Sequence, residues 1–406
     1  MGSDHAFSAP GRDDSTTKAH DADVSRTLAP AAPPVRSRSA PRRAACRAPC
    51  RAPPVGRPLT GPDDPGGRAP AGETGADDGD ETLAFRRLDP VALLDAIDAA
   101  GHATDGRVGA LNSYENRVYA VGLEGGETLV AKFYRPGRWT DEAILEEHDF
   151  CLDLADAGLP VVAPLVGAEG ESLRFAGPFR FALFPRVGGR APELDDPTEL
   201  AVVGRTVGRL HEVSRAWDFE HRPFVDADRL GASAIEYLVD SETVPGGVRD
   251  AYETLAWELL DLVEDRIDEA GDVDEFPIHG DMHPGNILWG PDGVPRLLDF
   301  DDAATGPAVQ DLWMFVSGDR DYAEARLGNV LDGYTTHADF DVAELALIEP
   351  LRTLRLVNFA AWIAERWVEP AFRRAFPYFE GDTFWDEHVR VLQEQRQALH
   401  EPALRY

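Results

Sequence analysis

The chain has 406 residues, 43% of them hydrophobic, with 40 Lys+Arg against 73 Asp+Glu and a formal net charge of −33. That length suffices for two lobes and a large core, and so acidic a surface repels nucleic acid and anionic lipid. No run of about 18 apolar residues marks a membrane span, and no charged-then-apolar N-terminus marks a secretion signal. Cys46, Cys50 and Cys151 are too few for a disulfide framework, so a reducing cytosol is expected.

Residues 1–80 carry 11 basic and 11 acidic side chains and net to zero; the rest of the chain, with 29 basic and 62 acidic groups, holds the whole charge. This segment has few aromatic or branched apolar residues and is expected to be a disordered extension. Arg36 to Arg57 holds seven arginines and no acid. A solvated tail is the plain expectation, and docking on the acidic body or a polyanion is the alternative. Cys46 and Cys50 have no nearby His or third Cys, so a metal clip is not expected.

Order is expected from about Thr82. Asp89-Pro90 before Val91-Ala-Leu-Leu marks a helix start with Pro at its first position. Arg117–Val121 and Thr128–Tyr134, separated by Gly125-Gly126, read as a β-hairpin. A helix follows over about Asp141–Ala157, with Ile144, Leu145, His148, Cys151, Leu152 and Ala155 on one face. Phe179–Val187 is another strand, ending at Gly188-Gly189. Residues 81–188 thus read as a small nucleotide-binding lobe.

Residues 189–406 read as a larger, helical, catalytic and substrate-binding lobe. Helices are expected over Thr198–His211 and Val248–Ala270, then from Asp311 through Gln397, with Pro350 opening one helix and Pro370 ending its continuation. Between them Ile287–Trp289, the turn Gly290-Pro-Asp-Gly293 and Val294–Leu298 form strand, turn and strand. The fold class expected from this order of elements is α+β and bilobal, with a small β-rich lobe and a larger helical one.

The chemistry lies in His279-Gly-Asp-Met-His-Pro-Gly-Asn286 and Leu297-Leu-Asp-Phe-Asp-Asp302. Phosphoryl transfer needs a carboxylate beside the attacking hydroxyl and oxygen ligands for Mg²⁺ on the ATP phosphates. Protein kinases place an Asp and an Asn at this five-residue spacing, then a second Asp for metal. Asp281 is the candidate base or hydroxyl-orienting group, and Asn286 and Asp299 the candidate Mg²⁺ ligands. Asp301 and Asp302 stand behind them, as metal helpers or turn caps. Gly280 occupies the place of the kinase Arg, and Asp301 that of the Gly in Asp-Phe-Gly.

Apart from Lys18 in the extension, Lys132 is the only lysine, and every other basic side chain of the folded part is Arg or His. A lysine kept at Val130-Ala-Lys132 on a strand fits a compact charge on the ATP α/β-phosphates. A helix carboxylate should hold it, and Glu142, Glu146 and Glu147 are available, Glu147 aligning best. The loop Asn112-Ser-Tyr-Glu-Asn116 lies where kinases cover the phosphates. It has no Gly-rich signature, and Ser113 is its candidate ATP contact, an ordinary polar turn being the alternative.

Other readings weigh less. His279 and His283 with Asp and Asn nearby have Zn²⁺-ligand chemistry, but packing suits both better. Asp311 either binds amides of the catalytic loop or caps a helix. Trp362, Trp367 and Trp385 would cage a cationic substrate in a choline-type enzyme, whereas the helical spacing of Leu351, Leu354, Val357 and Ala361 favours core packing.

These segments resemble the aminoglycoside/choline phosphotransferase branch of the kinase fold, and more closely the stress response kinase A family. The resemblance is carried by Leu111–Tyr119, Val130–Pro136, Ile144–His148, Val187–Arg190, His279–Trp289, Gly306–Met314 and Ile348–Arg352, and runs from about residue 82 to the C-terminus. It implies a cytoplasmic, ATP- and Mg²⁺-dependent serine/threonine protein kinase, itself a phosphoprotein, that moderates stress-induced death. It implies Asp281 as proton acceptor, Asn286 and Asp299 as magnesium ligands and Ser113 as an ATP contact. Protein substrates and a monomer are expected, with neither nucleic acid nor membrane as partner. Met282, Pro284 and Phe300 depart from the family pattern without removing a polar ligand. A small-molecule phosphotransferase acting on an amino alcohol or sugar is the first rival, and a pseudokinase binding module the second.

Two origins fit the acidity: a salt-rich cytoplasm, or an ordinary acidic enzyme of a high-GC genome. On the first, self-repulsion unscreened at low salt destabilises the fold. The unfolding midpoint should then rise between low and molar salt; a flat or falling midpoint speaks for the second.

Overall fold

The computed structural model describes Phe85, residues 88–111 and residues 113–406. The expected extension, its arginine tract, Cys46, Cys50 and Asn112 lie outside the described residues. Among the described residues no helix is long and apolar enough to cross a membrane.

Helix α1 (Pro90–Ala99) starts as its sequence dictates, with Pro at the first position and Asp89 accepting from the Val91 and Ala92 N–H groups at 2.9 and 2.8 Å. Strands β1 (Thr104–Ala110), β2 (Arg117–Leu123), β3 (Thr128–Phe133), β4 (Arg174–Ala176) and β5 (Phe179–Pro185) form one antiparallel sheet in the order β1-β2-β3-β5-β4. On β3 the two-residue period sends Leu129, Ala131 and Phe133 into a core with α1, and Lys132 to the opposite face.

Helix α2 (Asp141–Asp156) is capped by Thr140, whose Oγ1 accepts from the Ala143 N–H at 3.2 Å. Its buried residues are Ala143, Ile144, Glu147, His148, Phe150, Cys151 and Leu154, while Leu145 is exposed. The expected stripe is therefore turned. The helix serves two cores, Ala143 and Ile144 facing the sheet and Phe150, Cys151 and Leu154 facing the larger lobe, so a single apolar stripe does not describe it.

The larger lobe comprises α3 (Pro197–Ser214), α4 (Ser233–Asp240), α5 (Arg249–Ala270), β6 (Phe276–Ile278), β7 (Ile287–Trp289), β8 (Pro295–Leu297), β9 (Ala304–Gly306), α6 (Arg320–Tyr334), α7 (Ile348–Glu365), α8 (Pro370–Ala375) and α9 (Asp382–Leu399). β6 pairs with β9 and β7 with β8. This pairing sets the loop from His279 to Asn286 beside the loop from Asp299 to Ala303. Pro350 lies in the first turn of α7. Pro370 does not end that helix: α7 stops at Glu365, and Pro370 is the first residue of α8. Pro suits either side of a helix break, and the sequence does not say which.

Helices α3 and α6 approach to backbone contact. Gly204 and Gly208, one turn apart on α3, lie against the carbonyls of Val330 and Tyr334, and Gly333 of α6 lies against that of Ala201; a Cβ at any of the three would strike those oxygens. Gly204→Ala or Gly333→Ala should therefore cost about 1–3 kcal/mol in urea unfolding. Gly125→Ala, in an open turn, should stay within about 0.5 kcal/mol.

Candidate active site

The first of the two loops is fixed from behind by Asp311. Its Oδ2 accepts from the His279 N–H and its Oδ1 from the Gly280 N–H, each at 2.8 Å. Of the two roles read for Asp311, the structure shows amide binding. Oδ2 also lies 3.0 Å from His211 Nε2, whose Nδ1 is 3.0 Å from Tyr334 Oη. Gly280 has φ +82°, and a Cβ there would strike the Asp302 carbonyl. This explains glycine where protein kinases carry Arg. Asp299 also sits in the left-handed region, at φ 65°, a conformation Asp tolerates better than most side chains.

Asp281 is buried. Its Oδ1 pairs with Arg355 Nη1 of α7 at 2.8 Å, and its Oδ2 lies 3.5 Å from His283 Nε2. Burial pushes its carboxyl up, but the Arg355 guanidinium and His283 outweigh burial and hold it well below the usual carboxylate range. It is thus an ionised, hydrogen-bond-accepting group. Asn286 donates through Nδ2 to the Asp281 carbonyl at 3.0 Å, an orientation that assigns its amide oxygen the role of acceptor or metal ligand.

Lys132 Nζ lies 3.0 Å from Asp299 Oδ1, 3.0 Å from Asp301 Oδ1 and 3.9 Å from Glu147 Oε1. Burial lowers its pKa, but these three carboxylates win and carry it well above the ordinary lysine value. Of the three helix carboxylates considered, Glu147 is the one brought to Lys132. Glu146 instead accepts from the N–H groups of Glu220, His221 and Arg222 at 2.6, 2.9 and 2.7 Å.

Asp301 and Asp302 are buried beside Asp281 and Asp299. Burial, opposed by Arg138 and reinforced by the charges of Asp281, Asp301 and Asp299, brings Asp302 up to about 7. A place crowded with carboxylates, with the Asp299 side chain 49% exposed and an amide oxygen available on Asn286, has the donor chemistry of a hard divalent cation. These residues fit one.

Ser113 lies in the loop before β2, where its Oγ accepts from the Asn116 N–H at 3.3 Å. Asn116 donates to Asp301 Oδ2 at 3.1 Å, and Arg138 binds Asp302 Oδ1 at 2.6 Å. Sequence reasoning missed Glu115, Asn116, Arg138, Arg222 and Arg355. Arg222, fully buried, stacks on Trp139 at 4.0 Å and donates to the Asp301 and Ala303 carbonyls at 2.5 and 2.9 Å. One signal was available: arginines in apolar surroundings, such as Arg355 among Leu351, Leu354 and Val357.

Both nitrogens of His279 are engaged, Nδ1 by the Asp281 N–H at 3.3 Å and Nε2 by the Leu298 carbonyl at 3.0 Å, so it packs rather than ligates. Its ring meets Phe300 at 4.4 Å. Trp362 and Trp385 are buried in the core formed by α4, α5, α7 and α9, and Trp362 donates to Glu115 Oε2 at 2.8 Å. Both rings pack among apolar and aromatic side chains, as the core-packing reading has it.

Residues 107–348 match the phosphotransferase enzyme family (APH). Stress response kinase A of Escherichia coli (strain K12) is 41% identical over 320 residues, 79% of this chain and 96% of that protein. The serine/threonine protein kinase RdoA of Salmonella typhimurium is 39% identical over 327 residues, 80% and 98% of the two chains. Among solved structures, amicoumacin kinase hAmiN in complex with AMP-PNP, Ca²⁺ and Ami aligns with a TM-score of 0.62 at 18% identity, covering 78% of this chain and 96% of that one. A microcompartment-associated aminopropanol kinase gives 0.58 at 20% identity, over 76% and 98%. These two likenesses show the shared bilobal α+β kinase fold. The chain belongs to the phosphotransferase enzyme family. Within it, the chain is a member of the stress response kinase A family.

The turn that carries Asp311 is itself held by Glu344, whose Oε2 accepts from the Val309 N–H at 2.8 Å. Burial, opposed by that N–H, raises the Glu344 carboxyl to about 7. Its folded pKa lies above its unfolded value, so the protonated form is favoured by folding. The contribution is complete below about pH 4.5 and is lost as pH rises through about 7. Glu344→Gln should remove its share, on the order of 3 kcal/mol, from the fall in stability between about pH 4.5 and 7, leaving the share of Asp302, which is raised to about 7 as well; urea titrations at several pH values measure it.

Proposed function

We propose that this protein transfers the γ-phosphate of ATP to serine or threonine hydroxyls of protein substrates, with Mg²⁺ as the divalent cation. The observation that carries the reading is the convergence of Asp281 and Asn286, on one loop, with Asp299 on the next, itself 3.0 Å from Lys132. The names of the relatives support a protein acceptor and a stress-response setting. In this reading residues 81–188 bind the nucleotide and residues 189–406 bind the acceptor and carry the catalytic loop. The enzyme works as a cytoplasmic monomer.

Lys132, held by Glu147, places one compact positive charge against the α/β-phosphates. Ser113 contacts the phosphates from the loop above. Asn286 and Asp299 hold Mg²⁺, which when bound neutralises phosphate charge. Asp281, kept ionised by Arg355 and His283, accepts a hydrogen bond from the acceptor hydroxyl and orients its oxygen for in-line attack.

The second reading, a small-molecule acceptor, is favoured by the folds of the amicoumacin and aminopropanol kinases. Transfer of labelled γ-phosphate, offered a protein panel and an amino-alcohol and aminoglycoside panel side by side, separates the two. Asp281→Asn should lower turnover by about 10²–10⁴-fold while the far-ultraviolet spectrum stays that of the unaltered protein. Near-normal turnover would remove Asp281 from the mechanism.

A further inference from the structure

Helix α7 carries Arg355, Trp362 and Arg366, the last at its C-terminal cap. Their spacings are close to two and three helical turns, so the three side chains share one face. Arg355 holds Asp281. The other two reach across to the smaller lobe and hold Glu115: Trp362 Nε1 donates to its Oε2 at 2.8 Å, and Arg366 Nε lies 3.1 Å from its Oε1 and 2.9 Å from its Oε2. Arg135 and Arg138 complete the surround at 2.6 and 3.8 Å. Glu115 is 7% exposed.

The residues on either side of Glu115 are tied as well. The Tyr114 ring lies 6.3 Å from Trp362 and 5.3 Å from Phe376, Asn116 donates to Asp301, and Arg117 and Arg135 both pair with Glu369 at the start of α8. A glycine-rich loop can fold over phosphates through its own backbone freedom. This loop has no glycine between Leu111 and Val121, so its placement comes from outside. A buried ion pair is seldom stabilising compared with apolar side chains of equal volume, and its best-attested use is to fix one geometry.

We propose that Glu115 is a positioning residue for the nucleotide: clasped by Trp362 and Arg366, it fixes the Ser113–Asn116 loop on the phosphate side of the cleft, so that the helix holding the catalytic aspartate also sets ATP affinity. This rests on the cleft being the ATP site.

The test is calorimetric binding of AMP-PNP with Mg²⁺ to the full chain, which needs no acceptor. Glu115→Gln should weaken binding by about tenfold or more, and Trp362→Phe, which keeps the ring and removes only the N–H donor, by about threefold. Arg366→Gln should match Glu115→Gln, and the double variant should be no weaker than either single one, since both open the same clasp. Circular dichroism and melting without nucleotide report the fold separately. If Glu115→Gln fails to fold, Trp362→Phe and Tyr114→Ala decide. Folded variants that bind within about twofold of the unaltered chain, or that lose melting temperature without losing affinity, would overturn the proposal and leave the clasp a stabilising contact. Failure of the unaltered chain to bind AMP-PNP would overturn the ATP reading and this proposal with it.

Discussion

Charge compensation among buried side chains governs this molecule. Asp281, Asp301, Asp302, Glu115 and Glu147 are all buried, and isolated carboxylates in such surroundings would either protonate or unfold the protein. Lys132, Arg138, Arg222, Arg355 and Arg366 are buried with them. Removing one member leaves its partners uncompensated, so the set behaves as a unit rather than as separate ion pairs. The smaller lobe, the larger lobe and the catalytic loop are all joined through it. Asp302 and Glu147, both raised to about 7 chiefly by burial, mark spots where compensation is incomplete.

The division of labour among cations follows from their shapes. The planar guanidinium of Arg222 satisfies two backbone carbonyls and stacks on an indole at once. Arg138 bridges two carboxylates that a single ammonium would not orient. The one described lysine, a compact ammonium, is set instead among three carboxylates, Asp299, Asp301 and Glu147. Low usage of lysine elsewhere is what made this residue conspicuous in the sequence.

Local chemistry was legible because it is spelled in contiguous residues. The Asp–Asn spacing, the Asp89-Pro90 cap and the hairpin around Gly125-Gly126 all rest on contacts within a few positions. What escaped notice spans long separations. Arg355 meets Asp281 74 residues away, and Arg366 meets Glu115 across 251. No periodicity encodes such pairs, and an arginine inside an apolar helix stripe was the only trace they left. The buried stripe of α2 was misplaced for a related reason: a helix wedged between two cores obeys two periodic patterns, and a sequence shows only their sum. β1 gave little signal, being short of apolar residues and largely exposed.

The glycine seam between α3 and α6 has a consequence for how this protein tolerates change. The close approach of those helices sets Tyr334 against His211, His211 against Asp311, and Asp311 against the amides of the catalytic loop. A survey of inactivating substitutions would therefore gather hits along a helix pair that lies behind the catalytic loop. Engineering for heat resistance should leave that seam alone and work instead on the outer faces of α5 and α9.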